Sequence, residues 1–407
     1  MNTQKVVVVG GGPAGMMAAG TAGRRGCAVT LLEKNMRLGR KLLITGKGRC
    51  NLTNMMDVEG IIANIPVNGK FLYSALYRFS NREVVAFFQD WGLPTKVERG
   101  GRVFPVSDRS VDVVRALEKY MDHSQVQVMT GEATGILVDG SAVSGVQLKD
   151  GRRIPADRVI IATGGRSYPL TGSTGDGYRF AAVLGHTITP LKPALVPLES
   201  STPWIREVQG LALKNVAIKV LNNAGKTIYT DFGELLFTHF GVSGPIILSA
   251  STHLEQADSY RLLIDLKPAL TPEQLDLRLQ RDFMKNGRKV FHNALTELLP
   301  RTLIPVMVEL AAVDPDKPVN QINKVERQRL AALLKELALD ITGLRPIAEA
   351  IVTAGGVAIN EIDPTTMESK LVKGLFFAGE VIDVNAYTGG FNLQIAFSTG
   401  HLAGNSC

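Results

Sequence analysis

Cysteine and histidine are scarce in this chain. The three cysteines in 407 residues, Cys27, Cys50 and Cys407, form no CxxC or CxxxxC pair, so neither a disulfide framework nor a dithiol active site is supported. The six histidines, His123, His186, His239, His253, His292 and His401, are scattered. None stands three to five residues from another histidine or a cysteine, as a zinc site requires, and no metal is expected. Long apolar runs are missing too: the longest, Leu303 to Val313, is interrupted by Glu309 and falls short of the roughly 18 residues of a membrane helix. The opening MNTQKVVVVGGG passes straight from valines to glycines and lacks the apolar stretch and small-residue cleavage site of a secretory signal. A cytoplasmic protein with no membrane partner is the expectation.

Charge of one sign is only mildly in excess, with 45 Lys and Arg against 38 Asp and Glu, a formal +7. The cations are dispersed rather than gathered in runs, which speaks against nucleic acid and for anionic small ligands. A 45% hydrophobic content excludes disorder and supplies a packed core, and the length fits about two to four domains.

What the chain has is glycine, placed to a purpose. Lys5 to Val9 is a β-branched run fit for a buried parallel strand; it meets Gly10, Gly11, Gly12, Pro13, Ala14 and Gly15, after which MMAAGTAGRRG reads as helix. In this strand, turn and helix, Gly10 allows the sharp turn, Gly12 lets backbone approach a pyrophosphate, and Gly15 permits close packing of helix on strand. A second strand, CAVTLLEK, ends on Glu33, an acceptor for ribose hydroxyls that would repel a 2′-phosphate. The pattern predicts dinucleotide binding with an unphosphorylated ADP half.

Further along, Val126 to Gly165 alternates apolar and polar residues around turns at Asp139-Gly140 and Asp150-Gly151, which predicts a small antiparallel β-meander. The chain then returns to the main sheet through RVIIATGG, ending at Ala162, Thr163, Gly164 and Gly165. From Leu191 to Leu266 short β-like runs mix with Pro and Gly, as in a barrel or twisted sheet. From Pro272 to about Leu344 the pattern is helical. The end reverts to the opening style, with a buried strand at Leu375 to Ala378, a glycine-rich loop and a helix from Phe391. The expected organisation is an α/β Rossmann-like domain, with a meander, made of residues 1–190 and 346–407. It is interrupted by a β-barrel-like insert at 191–270 and a helical insert at 271–345.

A flavin, unlike a nicotinamide, needs a second fingerprint far downstream, and GEVID with TGGFNLQIA supplies one. Glu380 or Asp383 can bind ribityl hydroxyls or, through water, the pyrophosphate. The amides of Gly390, Phe391, Asn392 and Leu393 at a helix N-terminus can face the N1 and C2 carbonyl edge of the ring and favour its anionic reduced form.

Four motifs together resemble the HI0933-like family of flavoproteins, related to the fumarate reductase and aspartate oxidase group: VVVVGGGPAGMMAA at 6–19, GRKLLITGKGRCNLTN at 39–54, ELLFTHFGVSGPIIL at 234–248, and FFAGEVIDVNAYTGGFNLQIAFSTG at 376–400 after VTAGGV. The resemblance spans nearly the whole chain. It implies noncovalent FAD on a glutathione-reductase-type Rossmann-like domain with an inserted β-barrel plus helical domain. The cofactor set it suggests adds Lys34, Arg40, Lys41, Ala133, Gly379, Gly389 and Gln394. It also places Thr45, Gly46, Gly48, Arg49, Cys50 and Asn51 near the reactive edge of the flavin. Lys47 departs from the glycine or serine usual in TGKGRCN and adds a positive charge there.

The candidate catalytic residues each have a plain structural alternative. Arg49 either orients an anion or forms a structural salt bridge. Cys50 is better read as packing than as a redox thiol. His239 is either a proton donor or a loop brace, and Tyr387 either donates a proton or stacks on the ring. Arg102, Arg166 and Tyr168 read as surface, and His401 as structural. The resemblance implies an FAD-dependent oxidoreductase, NAD(P)H-linked, moving hydride through flavin N5 to a small-molecule substrate at a cleft between domains. Reduction of a carbon–carbon double bond in an enone or a steroid- or bile-acid-like substrate is the expected reaction. A flavin monooxygenase and a flavin-bearing sensor are the alternatives, with an RNA-modifying role, supported only by the mild positive charge, a distant third. No second GxGxxG is present, so either NAD(P)H binds transiently in the substrate cleft or another donor replaces it.

Overall fold

Val6, Val7, Val8 and Val9 are all buried, as an unbroken β-branched run requires of a strand covered on both faces. The computed structural model, which describes residues 3–256 and 258–407, sets them at the centre of five parallel strands. The order is Leu375–Phe377, Arg158–Ile161, Lys5–Val9, Ala28–Glu33, Gln127–Thr130. The run opening at Val126 therefore belongs to the parallel sheet, and the antiparallel meander is confined to Ala133–Asp139, Ala142–Leu148 and Arg153–Pro155. The chain forms two compact units, one of Met1–Ala194 with Ile347–Cys407 and the other Leu195–Pro346.

In the first unit, Pro13 opens the helix Pro13–Arg24 after Gly12, where a missing N–H costs nothing. This helix packs on the last one, Phe391–Ser406, through missing side chains. A Cβ on Gly400 would strike the Ala14 carbonyl, and one on Gly404 would strike that of Ala18. Gly15 meets Gly10 the same way, on the strand side. A small sheet of Thr53–Asn54, Arg102–Pro105 and Thr95–Glu98 completes the elements that matter for the site.

The second unit is a closed antiparallel barrel of Leu198–Ser200, Gly241–Ser243, Thr227–Phe237, Ala212–Leu221, Tyr260–Asp265 and Leu337–Leu344. Between its last two strands run the helices Pro272–Lys285, Phe291–Ala294, Ile304–Ala311 and Lys324–Lys335. The expectation of helix to Leu344 is corrected here. Lys324–Lys335 ends, and Leu337, Leu339 and Ile341 alternate inward while Asp340 points out, the period of a strand. Barrel and helices are one unit rather than successive inserts. The apolar side of Pro272–Lys285 is used within it, since Leu275, Leu279 and Phe283 are buried.

Two outcomes follow from this packing. Gly404→Val should cost about 1–3 kcal/mol by overpacking, read as a lower urea midpoint, because the colliding atom is backbone. His401, stacked on Phe79 at 4.3 Å between ring centroids, has its pKa pushed down to about 4 by burial. The unfolded chain, titrating near 6.5, binds the proton first. The stability His401 contributes is thus complete above that value and lost as pH falls towards 4, by roughly 2–3 kcal/mol. His401→Phe should flatten the decline in urea midpoint over that window.

Candidate functional site

The C-terminal ends of the parallel strands open into one cavity in the first unit, the place where open α/β sheets take ligands. Its floor is Val9 to Ala14, Leu32 and Glu33, Ala162 to Gly164, and Ala378 to Glu380. Gly10 makes the turn at φ 111°, and a Cβ there would lie 2.5 Å from the Ala162 carbonyl oxygen. Gly12 is different: a Cβ on it meets nothing within 4 Å, so this backbone is open towards the cavity.

The walls are polar, with four cations, Lys34, Arg37, Arg40 and Lys41, and four carboxylates, Glu33, Glu132, Asp176 and Glu380. The Glu33 carboxylate accepts from the Gly11 amide at 2.7 Å and from Asn35 through its amide at 2.8 Å and its side chain at 2.6 Å. Arg40 donates to Asn35 at 2.6 Å. Lys34 pairs with Asp176 at 2.7 Å, and Lys41 with Glu380 at 2.6 Å while also donating to Ser167 at 2.7 Å. The other Glu380 oxygen accepts from the Thr353 amide at 2.8 Å. Lys34, Arg37, Arg40 and Lys41 thus bring four cations to one wall, and among the described residues only Asp176 and Glu380 are ion-paired with them. Ala133, Thr45, Asn392 and Leu393 complete the predicted residues on the lining.

Among the described residues, three buried side-chain atoms have no hydrogen-bond partner: Thr163 Oγ1, Asn51 Oδ1 and Asn385 Oδ1. A buried polar group left unmatched costs free energy unless a ligand meets it. Two of the three belong to the predicted cofactor set. Thr163 is on the lining, whereas Asn51 and Asn385 are not; with the open Gly12 backbone and the four lining cations, Thr163 fits a dinucleotide.

Other predicted residues stand behind the lining. A Cβ on Gly165 would lie 2.6 Å from Glu380 Oε1, so this glycine lets the Glu380 carboxylate close in. Gly389 and Gly390 adopt φ of 131° and 100°, which the turn into the last helix requires. Phe391 is buried. Gln394 is turned into the core, bonded to Thr53, the Phe79 carbonyl and Ser398. Asp383 lies outside the lining, bonded to Asn68, and burial pushes its pKa up.

The loop 45–51 leaves the cavity at Thr45. Gly46, Lys47, Gly48 and Cys50 all have positive φ. Cys50 is fully buried and its thiol is pushed up to about 12 by desolvation. Arg49 donates to Asp108 at 2.6 and 2.9 Å, pairs with Glu98, and lies 4.2 Å above the Phe104 ring. Those hydrogen bonds raise its pKa further and hold it in an ion-pair cluster off the lining. Tyr387 is also off the lining, its amide donating to the Asn64 carbonyl. His239 lies in the second unit, exposed and edge-on to Phe240 at 5.0 Å.

Asn35, Arg37, Ser167, Thr353 and Asn385 were not foreseen. Asn35 follows the Glu33-Lys34 pair directly and Asn385 sits inside VIDVNAY, so both lie within the motifs that carry the family resemblance or beside them. Thr353 sits inside VTAGGV, whereas Ser167 carries no local signal, because its partner Glu380 is distant in sequence.

Among the described residues, no helix is long and apolar enough to cross a membrane and no group of acidic, histidine or cysteine residues is placed to hold a metal. The pattern of the HI0933-like protein Rossmann domain matches residues 4–406. The chain is 33% identical to the 3-dehydro-bile acid delta(4,6)-reductase of Clostridium scindens, over 99% of this chain and 98% of that one. It is 32% identical to the ribosomal RNA dihydrouridine synthase of Escherichia coli, over 97% and 95%. In structure it is similar to the 3-ketosteroid delta1-dehydrogenase of Sterolibacterium denitrificans, with a TM-score of 0.54 at 13% identity over 100% and 99% of the two chains, a likeness of fold. The chain belongs to the HI0933-like family and is an FAD-dependent oxidoreductase.

Proposed function

We propose that the chain reduces a carbon–carbon double bond conjugated to a carbonyl, with NAD(P)H as the electron donor. One observation carries this reading. Two relatives, each about a third identical over nearly their full lengths, are named for saturating such a bond, one in a 3-dehydro bile acid and one in the uracil ring of RNA. The shared chemistry is hydride delivery to the β-carbon of an enone and protonation of the α-carbon.

Bound FAD supplies the two-electron hydride chemistry. The protein's own part begins with charge. Lys34, Arg37, Arg40 and Lys41 offset the pyrophosphate, and the Gly12 backbone lets it approach the helix N-terminus. Glu33 accepts from the ribose. Thr163 offers its unmatched polar atom. Asn392 donates to the Ala386 carbonyl and accepts from its amide, which fixes the loop that carries Tyr387. Tyr387, in the same unit as the cavity, is the acid we assign to the α-carbon. Arg49, tied to Glu98 and Asp108, is a positioning residue. Cys50 stays a protonated thiol, so electrons pass without a thiol relay. The absence of a second GxGxxG supports transient binding of the nicotinamide.

The test is anaerobic stopped-flow absorbance of the holoprotein in its visible flavin band, with NADH or NADPH, followed by an enone or oxygen. Bleaching by a nicotinamide and fast recolouring by the enone are expected. Recolouring by oxygen with a hydroxylated product would mean a monooxygenase instead, and no bleaching would remove NAD(P)H as donor. Two variants separate the parts. Gly12→Val should leave the apoprotein's melting temperature unchanged yet weaken FAD binding by at least about tenfold, roughly 1.4 kcal/mol. Cys50→Ala should keep turnover within about twofold, at a stability cost set by the small volume lost.

A further inference from the structure

Outside the cavity, three arginines of one segment, Arg99, Arg102 and Arg109, and Lys47 from the loop after Thr45 are carried by or next to the small sheet of Thr53–Asn54, Arg102–Pro105 and Thr95–Glu98. The Phe104 ring is the hub. Arg49 lies on it, the Arg102 guanidinium is 5.9 Å from its centroid, and a Cβ on Gly46, the neighbour of Lys47, would be 3.7 Å from its edge. Arg102 Nε donates to the Arg99 carbonyl at 3.1 Å, which folds the two arginines onto one turn. Arg109 follows Asp108, the partner of Arg49.

The local carboxylates are spent. Glu98 is taken by Arg49, and Asp108 by Arg49 and by Lys96 at 2.6 Å. Lys47, Arg99, Arg102 and Arg109 are exposed and have no ion pair among the described residues. Beside them Val97 and Val106 are also exposed, at 60% and 52%.

The turn is also built to stay in place. Asn54, 2% exposed, donates to the Gly100 carbonyl at 3.0 Å and to the Gly389 carbonyl at 3.2 Å, while its own carbonyl accepts from Asn81 at 2.6 Å. Gly101, at φ 73°, leaves no room for a Cβ beside Asn54 Oδ1. The arginine turn is thereby tied to the glycine turn that starts the last helix, whose Asn392 and Leu393 line the cavity, and Lys47 is two residues from Thr45, which also lines it.

We infer that the turn Arg99 to Arg102, with Lys47 and Arg109, is a phosphate-binding surface that holds the backbone of a single-stranded polynucleotide at the edge of the reaction cavity. A lone carboxylate is matched by one arginine; four unneutralised cations on an exposed strand and turn match a row of phosphates. Asn54 is the positioning residue that fixes the surface relative to the cavity. The inference deepens the proposed double-bond reduction by naming the class of molecule that carries the bond, and it rests on that reading only for its purpose.

The test reads binding, so it stands whether or not turnover is found. Holoprotein with FAD bound is titrated with fluorescein-labelled oligouridylate at several salt concentrations, and in parallel with a 3-oxo-4-ene steroid carboxylic acid and its methyl ester by calorimetry. The double variant R99E/R102E should weaken the oligouridylate at least about tenfold and flatten the slope of log K against log salt by about 0.7 for each phosphate no longer neutralised. R99K/R102K should restore most of both. Asn54→Ala, with its flavin spectrum intact, should weaken the oligouridylate as well. The inference is overturned if oligouridylate does not bind the unaltered holoprotein, if R99E/R102E binds it equally well, or if that variant loses only the steroid acid relative to its ester.

Discussion

Everything at the cofactor cavity depends on backbone meeting backbone where the chain's two distant ends come together. The helix after the first strand and the final helix touch at Gly400 on Ala14 and Gly404 on Ala18, a distance of approach that any side chain would prevent. Close approach of this kind puts Gly379 near Ala14, with a Cβ on it only 2.8 Å from Ala14 Cβ. The floor of the cavity is therefore drawn from residues near 10, 162 and 379 at once. Seen this way, the glycines fall into two kinds. Gly10, Gly15, Gly400 and Gly404 shape the protein itself, whereas Gly12 touches nothing in it and keeps space for something else.

Charge is distributed on the same logic. Each carboxylate on the cavity lining is pinned: Glu33 by two amides and a side chain, Glu380 by Lys41, Ser167 and Thr353, Asp176 by Lys34, Glu132 by Lys149. Pinned acids hold geometry and equal the lining cations in number, yet among the described residues Arg37 and Arg40 are left with no carboxylate partner on that wall. A dinucleotide's pyrophosphate supplies the opposite charge.

The legible parts of the sequence were those whose physics is local. Strand, glycine turn, helix and terminal acid follow one another within the first 33 residues, and each requirement is met by neighbours. The barrel showed as a change of style, but Leu337–Leu344 read as helix because KELALDITGL continues the leucine spacing of the preceding helix. Only pairing with Tyr260–Asp265 and Leu198–Ser200 makes it a strand. Gln394 and Asp383 were placed at the cofactor because their motifs were. A motif fixes which end of a helix faces a ligand, but Gln394, one turn in, points the other way, to Thr53 and Ser398. Arg49 had two readings from sequence, and its partners Glu98 and Asp108 lie too far along the chain for spacing to reveal them.

The same limit applies to surface charge. A run of lysines and arginines is visible in sequence because adjacency in the chain guarantees adjacency in space. Arg99, Arg102 and Arg109 are spaced along one segment, and Lys47 is brought to them because Thr53–Asn54 pairs with Arg102–Pro105 and Phe104 packs under the loop that leaves the cavity. Whether such a gathering is a field or a neutral cluster is decided by the carboxylates beside it. Here two acids serve Arg49 and Lys96, so the inner layer of the cluster balances and the outer layer does not. Neutralising the inner pair lets Arg49 pack against an aromatic ring and brace the loop at low cost, and it leaves the net positive charge on the outer residues, where an anion can reach it.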